Sequence, residues 1–227
     1  MSNTLMVNEI FYSIQGEGTR MGFPCVFVRL TGCHLRCHYC DTAYAFYEGN
    51  RQRVDEVVAA TRRYNCPLVE VTGGEPLLQP AVHELMTRLC DTDATVLVET
   101  SGACDVATCD DRVIRIMDIK TPGSGEANRN LWANVDHLTV RDEVKFVICN
   151  RSDYEWARAC LTKHNFPQRV AAVLFSPAAA AAAGPHIAGV DELGMVDLAQ
   201  WIMEDRLPVR LQPQLHKTIW DVNQRGV

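Results

Sequence analysis

Residues 31–42 read TGCHLRCHYCDT, and Cys33, Cys37 and Cys40 lie in this stretch with the spacing C-x3-C-x2-C. Thiolates are soft ligands that select iron–sulfur clusters, zinc or copper(I). A structural zinc site and an electron-transfer cluster each need four protein ligands. Because this run supplies only three, it predicts a cluster with one open iron, the kind of position that a catalytic site leaves for a small molecule.

Two simpler interpretations are compatible with the three cysteines alone. His34 or His38 could complete a zinc loop, or the thiols could be incidental buried residues, since the chain contains ten cysteines. The other seven are mostly scattered through apolar segments, and we interpret them as small core or surface residues: Cys25, Cys66, Cys90, Cys104, Cys109, Cys149 and Cys160.

The composition is that of an ordinary globular protein of 227 residues, with 47% hydrophobic and 22% charged residues, and we expect a single domain over residues 1–227. The formal net charge of −6 disfavours a nucleic-acid partner. The sequence has no apolar run of transmembrane length and no signal-peptide pattern, so we expect no membrane attachment. Ten cysteines without a secretory signal predict a reducing, cytoplasmic environment.

Apolar strands alternate with helical segments along the chain. The predicted strands are residues 25–30, 67–72, 95–100, 113–120, 143–149, 170–175 and 208–211. The predicted helices are residues 52–64, 80–90 and 192–205, and one that begins at a capping box of Ser152 and Glu155. This order predicts an α/β fold with mostly parallel strands, and we expect an incomplete (β/α) barrel whose chemistry lies on the loops after the strands.

Two segments give weaker signals. Gly16, Gly18 and Gly22 mark a flexible, backbone-exposing loop, and we take residues 25–30 as the first strand. The alanine run at residues 178–183 is compatible with helix or loop, and we assign it no function.

Residues 73–76 read GGEP and follow the predicted strand 67–72. Two glycines allow the backbone to approach a ligand closely, although a plain strand-to-helix turn would look the same. With the cysteine triplet, this motif makes the chain resemble the radical S-adenosylmethionine (SAM) enzymes. In them the GGE motif binds the amino group of SAM, and an aromatic residue, here Tyr39, precedes the last cysteine.

The resemblance implies a [4Fe–4S] cluster on Cys33, Cys37 and Cys40, with SAM chelating the open iron. It further implies that an electron from the cluster cleaves SAM to methionine and a 5′-deoxyadenosyl radical. The cofactors then carry the chemistry, and we assign no catalytic role to a protein side chain.

A finer resemblance is to the 7-carboxy-7-deazaguanine synthase family of queuosine and deazapurine biosynthesis. The motifs that carry it cover most of the chain: SIQGEG (13–18), FVRLTGC (27–33), CDT (40–42), VTGGEPLLQ (71–79), VETSG (98–102), EVKFV (143–147) and QPQLHK (212–217). It implies a homodimeric lyase that also uses Mg2+ and an electron donor such as a flavodoxin. The implied reaction is ring contraction of 6-carboxy-5,6,7,8-tetrahydropterin to 7-carboxy-7-deazaguanine, with release of ammonia.

The same resemblance assigns site residues. Thr42 matches the position whose hydroxyl ligates Mg2+, although an ordinary helix N-cap is the plainer interpretation of this threonine. The residues that it places beside SAM are Tyr39, Cys40, Asp41, Gly74, Lys120 and Ser124, the last two in a segment where the family often carries Ser-Pro-Lys. The residues that it places beside the substrate are Ile14, Gln15, Gly16, Arg29, Thr72, Gln212, His216 and Lys217.

Elementary chemistry agrees with two of these assignments. Arg29 is a cation in an otherwise apolar strand, and a substrate carboxylate would be a natural bidentate partner if the side chain faces inward. The amide of Gln15 both donates and accepts hydrogen bonds, which suits the edge of a pterin.

Two other functions remain as alternatives. A radical-SAM activase of a glycyl-radical enzyme would share the cysteine loop but has no use for a pterin pocket, so SIQGEG and QPQLHK disfavour it. A non-catalytic zinc or iron–sulfur binding module would need four protein ligands and would leave GGEP without a purpose.

Overall fold

The computed structural model describes residues 3–221 and 224–227. Its strands are β1 (Thr4–Ile14), β2 (Pro24–Leu30), β3 (Asn50–Arg53), β4 (Leu68–Gly73), β5 (Thr95–Thr100), β6 (Ile114–Asp118), β7 (Glu143–Ile148), β8 (Ala172–Pro177) and β9 (Arg210–Leu211). Its α-helices are α1 (Val54–Arg62), α2 (Val82–Cys90), α3 (Arg151–His164), α4 (Phe166–Arg169), α5 (Met195–Glu204) and α6 (His216–Ile219). None of the helices in these ranges is long and apolar enough to cross a membrane.

The strands form one nine-stranded sheet in the order β3-β1-β2-β4-β5-β6-β7-β8-β9. Every neighbouring pair from β2 to β9 is parallel, whereas β1 is antiparallel to both β2 and β3. In the described part of the chain the two edge strands, β3 and β9, do not pair, so the expected incomplete barrel is confirmed. The carboxyl ends of the parallel strands therefore meet at one edge, where loops can build a site.

The central strands β4, β6, β7 and β8 are buried on both faces, which explains their nearly continuous apolar sequences. On the outside, aliphatic side chains of β1, β2, β4 and β5 pack under α1 and α2, and a more aromatic cluster packs β7 and β8 under α3 and α5. Inside the barrel lies a smaller apolar cluster: Phe11, Cys25, Phe27, Leu68, Leu97, Ile114 and Ile116. This cluster closes the interior below the carboxyl edge.

Most predicted elements agree with the structure within a few residues, and the glycine loop lies between β1 and β2, but the strand before that loop was missed. The strand Thr4–Ile14 precedes the strand that ends at the cysteine loop. Its side chains alternate only partly between buried and half-buried positions, and the polar pair Asn8 and Glu9 interrupts the pattern that would have revealed it.

The predicted capping box at Ser152 was also wrong. The N-cap of helix α3 is Asn150, two residues earlier, and its side chain accepts the N–H of Asp153 at 3.0 Å. Asp153 is buried and accepts hydrogen bonds from the backbone N–H groups of Gly123 (2.7 Å) and Cys149 (3.0 Å). The Asp153 side chain therefore connects the loops after β6 and β7, although the sequence suggested only that it belongs to a helix start.

The alanine run forms no helix. Ala181 pairs with Val190 in an isolated bridge, so the segment 178–193 folds back on itself. Gly189 N–H donates to the carbonyl of His38 at 3.1 Å, and the ring of His186 lies 5.3 Å from that of Tyr47. The segment therefore packs against the cysteine loop.

Candidate active site

A cavity of about 570 Å³ opens at the carboxyl edge of the sheet. One side of it is formed by the loop after β2 and the glycines after β4, residues 31–42 and 73–74, which we call the cysteine wall. A second group of lining residues, Gln15, Glu17, Glu70, Glu99 and Lys145, we call the charged wall. Phe27 and Ile116 of the interior cluster form part of the floor.

Backbone hydrogen bonds hold the cysteine wall. Gly32 donates to the carbonyl of Ala45, Glu75 N–H donates to the carbonyl of Gly32, both at 2.8 Å, and Cys40 N–H donates to the carbonyl of Cys37 at 3.1 Å. A Cβ on Gly74 would lie 2.3 Å from the Gly32 oxygen. Residue 74 must therefore be glycine for the strand end and the cysteine loop to meet.

Hydrogen bonds to the Glu75 side chain also support the cysteine wall. The Glu75 carboxylate is fully buried and accepts from Ser101 N–H at 2.7 Å and from the Thr100 hydroxyl at 2.9 Å. The glutamate of GGEP thus links the ends of β4 and β5, leaving the backbone of the glycines to face the cavity.

Cys33, Cys37 and Cys40 all line the cavity. Burial raises the pKa of the Cys33 and Cys37 thiols and raises that of Cys40 to about 11. Within residues 3–221 and 224–227, no three His, Cys, Asp or Glu side chains converge as ligands of a single metal ion. Three soft donors on one wall suit an iron–sulfur cluster.

The end of β6 adds polar groups beside the cysteines. Lys120 Nζ lies 2.8 Å from Asp118 Oδ2 and 5.8 Å from the centre of the Tyr39 ring. Burial would lower the pKa of Lys120, but Asp118 raises it well above its usual value, so the side chain is a cation. Asp118 Oδ1 and the Tyr39 hydroxyl are buried without a hydrogen-bond partner among the described residues. Buried polar atoms are rarely left unpaired, so these two fit a polar ligand such as SAM.

Ser124 does not line the cavity. Its hydroxyl donates to the carbonyl of Thr121 at 2.6 Å and accepts the N–H of Glu126 at 3.0 Å. Its own carbonyl accepts the N–H of His38 at 3.0 Å. The structure therefore places Ser124 behind the cysteine loop and not at the SAM-facing position that the resemblance gave it.

Thr42 lies at the N-cap position of a short 3-10 helix (Ala43–Phe46), but its side chain caps no backbone N–H. Its hydroxyl instead donates to Asp41 Oδ1 at 2.9 Å. Asp41 Oδ2 lies 2.7 Å from Lys217 Nζ. Desolvation would raise the pKa of Asp41, but Lys217 outweighs it and holds the pKa well below its usual value. A hydroxyl next to an ionised carboxylate is a suitable pair of oxygens for Mg2+.

Lys145 is the centre of the charged wall. Its ammonium pairs with Glu17 and, at 3.0 Å, with Glu99. Burial would lower the pKa of Lys145 and raise that of Glu17, but their attraction dominates, so the pKa of Lys145 is raised and that of Glu17 is lowered. Thr72 lies 3.5 Å from the Glu99 carboxylate.

The sequence did not identify Glu17, Glu70, Glu99 or Lys145 as site residues. Glu17, Glu99 and Lys145 lie in SIQGEG, VETSG and EVKFV. For Glu70, Glu99 and Lys145 the available signal was a charged residue at an inward position of an apolar strand.

Arg29 lines the cavity as expected, but it already has a partner. Its Nε donates to Glu9 Oε1 at 2.8 Å, and the Tyr44 hydroxyl donates to the same oxygen at 2.9 Å. No further hydrogen bond to the Arg29 guanidinium occurs within the described ranges. Its terminal nitrogens remain able to bind a carboxylate.

Ile14, Gln15, Gly16, His216 and Lys217 also line the cavity, as the resemblance implies. A Cβ on Gly16 would lie 2.1 Å from His216 Nδ1, so glycine allows the histidine to close over this loop. Burial lowers the pKa of His216, which favours a neutral imidazole.

Gln212, in contrast, does not line the cavity. Its Oε1 accepts the N–H of Gly18 at 3.0 Å, and its Nε2 donates to the carbonyl of Pro213 at 2.7 Å. It therefore holds the SIQGEG loop from behind, together with Glu143, which accepts the N–H of Thr19 at 3.1 Å.

Comparison with known proteins agrees with this geometry. The model of the Radical SAM superfamily matches residues 27–165. Two proteins named 7-carboxy-7-deazaguanine synthase, from Koribacter versatilis (strain Ellin345) and Chlorobaculum tepidum, are 44% and 42% identical to the chain. Each alignment covers 98% of this chain. The alignments cover 100% of the Koribacter protein and 97% of the Chlorobaculum protein.

Solved structures show the same fold. QueE from Escherichia coli matches with a TM-score of 0.73 at 20% identity, covering 94% of this chain and 95% of QueE. SuiB from Streptococcus suis, bound to S-adenosylmethionine, matches with a TM-score of 0.58 at 11% identity, covering 81% of this chain and 48% of SuiB.

The chain is thus a radical SAM enzyme, and the [4Fe–4S] cluster and SAM expected from the sequence are the cofactors of that class. Within the class it belongs to the 7-carboxy-7-deazaguanine synthase family.

Proposed function

We propose that the chain converts 6-carboxy-5,6,7,8-tetrahydropterin to 7-carboxy-7-deazaguanine with release of ammonia, as a lyase of queuosine biosynthesis. The observation that carries the proposal is the cavity of about 570 Å³ between the cysteine wall and the charged wall. It has the size of a small-molecule site. Its walls are built from the motifs that carry the resemblance to the synthase family, so cofactor and heterocyclic substrate would meet there.

Cys33, Cys37 and Cys40 hold the cluster, and the backbone at Gly74 with the polar groups of Tyr39, Asp41 and Lys120 holds SAM. When bound, the cluster and SAM supply the radical chemistry that removes a hydrogen atom from the substrate. The protein keeps the reacting groups in fixed positions and excludes water. The backbone hydrogen bonds of the cysteine loop and the buried Glu75 support this role.

Thr42 supplies the hydroxyl ligand of Mg2+, and the ionised Asp41 beside it adds negative charge. Mg2+ takes few ligands from a protein and the remainder from water and substrate oxygens. A substrate carboxylate between Mg2+ and the Arg29 guanidinium would be oriented by both. Ile14, Gln15, Gly16, Thr72, His216 and Lys217 contact the rest of the substrate from the cavity lining.

The same proposal includes an electron donor, an oligomeric state and a cellular location. The cluster needs an external electron donor such as a flavodoxin, and the enzyme works as a homodimer. All ten cysteines are unpaired, which together with an iron–sulfur cluster supports a cytoplasmic location.

The test is an anaerobic assay of the reconstituted protein with SAM, a reductant, Mg2+ and 6-carboxytetrahydropterin. We expect 7-carboxy-7-deazaguanine by mass spectrometry, no product without SAM and less product without Mg2+. SAM cleavage that leaves the pterin unchanged would reject the proposal in favour of an activase. A colourless protein that holds only zinc would reject both.

A further inference from the structure

Glu70 is a buried carboxyl group on the charged wall that has no role in the reaction as described so far. It lies on β4 between Phe27 of β2 and Leu97 of β5, and only 4% of it is exposed. Its side chain lines the cavity. Burying a carboxyl group among apolar side chains costs free energy unless hydrogen bonds replace those it made to water.

The position of Glu70 along β4 sets its depth in the cavity. Thr72 follows it by two residues on the same face and pairs in register with Arg29. Two residues of a strand span about 7 Å. Glu70 therefore lies one side-chain layer deeper than the level at which Arg29 would bind the substrate carboxylate.

A single hydrogen bond orients the group. Gln15 Nε2 donates to Glu70 Oε2 at 2.5 Å. The amide of Gln15 cannot be turned around without loss, because its Oε1 accepts the N–H of Glu17 at 3.1 Å. Gln15 thus holds one carboxyl oxygen and leaves the rest of the group to the cavity.

The charges around Glu70 favour its protonated form. Burial and then the Glu99 carboxylate raise the pKa of Glu70 well above its usual value. Glu17 adds to this, whereas Gln15 and Lys145 oppose it. The other titratable neighbour, the Cys25 thiol on β2, is kept neutral because burial raises its pKa. A protonated carboxyl offers a donor and an acceptor side by side.

We propose that Glu70 binds the amino-pyrimidine edge of the substrate, donating to a ring nitrogen and accepting from the adjacent 2-amino group. This inference rests on the proposed function. A carboxytetrahydropterin carries its carboxylate and its amino-pyrimidine edge at opposite ends of the bicycle. Arg29 and Glu70 lie at two levels of the same cavity, so the pair matches these two ends. Gln15 is then a positioning residue for Glu70 as well as a lining residue.

Binding can be measured apart from turnover. The reconstituted holoenzyme without SAM is titrated with the fluorescent analogue 6-carboxypterin and with 6-carboxylumazine, which has an oxygen in place of the 2-amino group. We expect the wild type to prefer the pterin by about 100-fold, because a site built for an N–H donor rejects an analogue that lacks it. Glu70→Leu should bind the pterin about 10- to 100-fold more weakly and should lose the preference.

A second variant separates binding from structure. Glu70→Gln keeps the size of the side chain and a hydrogen-bond donor but cannot ionise. In the wild type, the affinity for 6-carboxypterin should fall as the pH rises through the raised pKa of Glu70, and in Glu70→Gln this fall should be absent. Thr61→Val is the matched control, since Thr61 is buried on α1 outside the cavity. Its affinities and pH profile should equal those of the wild type.

The inference is overturned if Glu70→Leu binds both analogues like the wild type, or if Glu70→Gln keeps the wild-type pH profile. These failures are distinct from failure of the proposed function. A wild type that forms no 7-carboxy-7-deazaguanine rejects the function. A wild type that forms it, with variants that bind normally, rejects only the role of Glu70.

Discussion

The cysteine wall and the charged wall line the same cavity, but they are built in opposite ways. The cysteine wall is a contiguous loop whose shape comes from backbone hydrogen bonds, such as Glu75 N–H to the carbonyl of Gly32. The charged wall joins side chains from separate strands and a loop through Lys145, Glu99 and Glu17. A local loop can be recognised from spacing, whereas a wall assembled by long-range ion pairs becomes visible only when the chain is folded.

The largest expected effect is on the cysteine wall. Cys37→Ser removes one of three cluster ligands, so the reconstituted protein should lose the iron–sulfur absorbance and all product formation. Cys66→Ser is the matched control, because Cys66 is half-buried and outside the cavity. Full iron content in Cys37→Ser would show that Cys37 is no ligand.

A substitution in the charged wall should lower stability and pterin binding but leave the cluster in place. Lys145→Met leaves the half-buried Glu17 and Glu99 without their cation, which should cost less than the roughly 3–5 kcal/mol of breaking a fully buried ion pair. We expect a lower thermal midpoint and weaker 6-carboxypterin binding, with the iron content unchanged. Loss of the cluster in a folded Lys145→Met protein would contradict the separation of the two walls.

Glu70 makes the charged wall sensitive to pH. Its pKa is raised in the folded state above the unfolded value, so the stabilisation by its neutral form is complete below the unfolded pKa and is lost as the pH rises through the folded pKa. Glu70→Gln should therefore gain stability over the wild type as the pH rises from the unfolded glutamate pKa of about 4.5 to the raised folded pKa, by up to about 1.4 kcal/mol per pH unit. Parallel thermal midpoints of the two proteins across this range would show that Glu70 is ionised in the folded state.

The smallest effect should come from Ser124. Ser124→Ala removes two local hydrogen bonds behind the cysteine loop and should cost about 1 kcal/mol of stability. Because the side chain does not reach the cavity, the Kd for SAM should change by less than about two-fold. A much larger loss of SAM affinity would restore Ser124 as a SAM contact.

These contrasts explain what the sequence could predict. The cysteine spacing and GGEP predicted the cofactors, and alternating strands and helices predicted the partial barrel, because both patterns are local. Strand β1 was missed because Asn8 and Glu9 interrupt its apolar pattern, although Glu9 is there to pair with Arg29. Gln212 lies in a matching motif and Ser124 in a segment that differs from the family's Ser-Pro-Lys, but only their hydrogen bonds show that they support the cavity walls from behind. The pairing of Lys145 with Glu17 and Glu99 joins residues too distant in sequence for any motif to reveal.

The separation of the walls is tested most directly by one comparative titration. Reconstituted wild type, Gly74→Ala and Lys145→Met are each titrated with SAM and with 6-carboxypterin. Gly74→Ala places a Cβ 2.3 Å from the Gly32 oxygen, so it should weaken SAM binding and spare the pterin. Lys145→Met should weaken pterin binding and spare SAM. If either variant loses affinity for both SAM and 6-carboxypterin while it stays folded and keeps its cluster, the two walls act together. The proposed separation of their roles is then wrong.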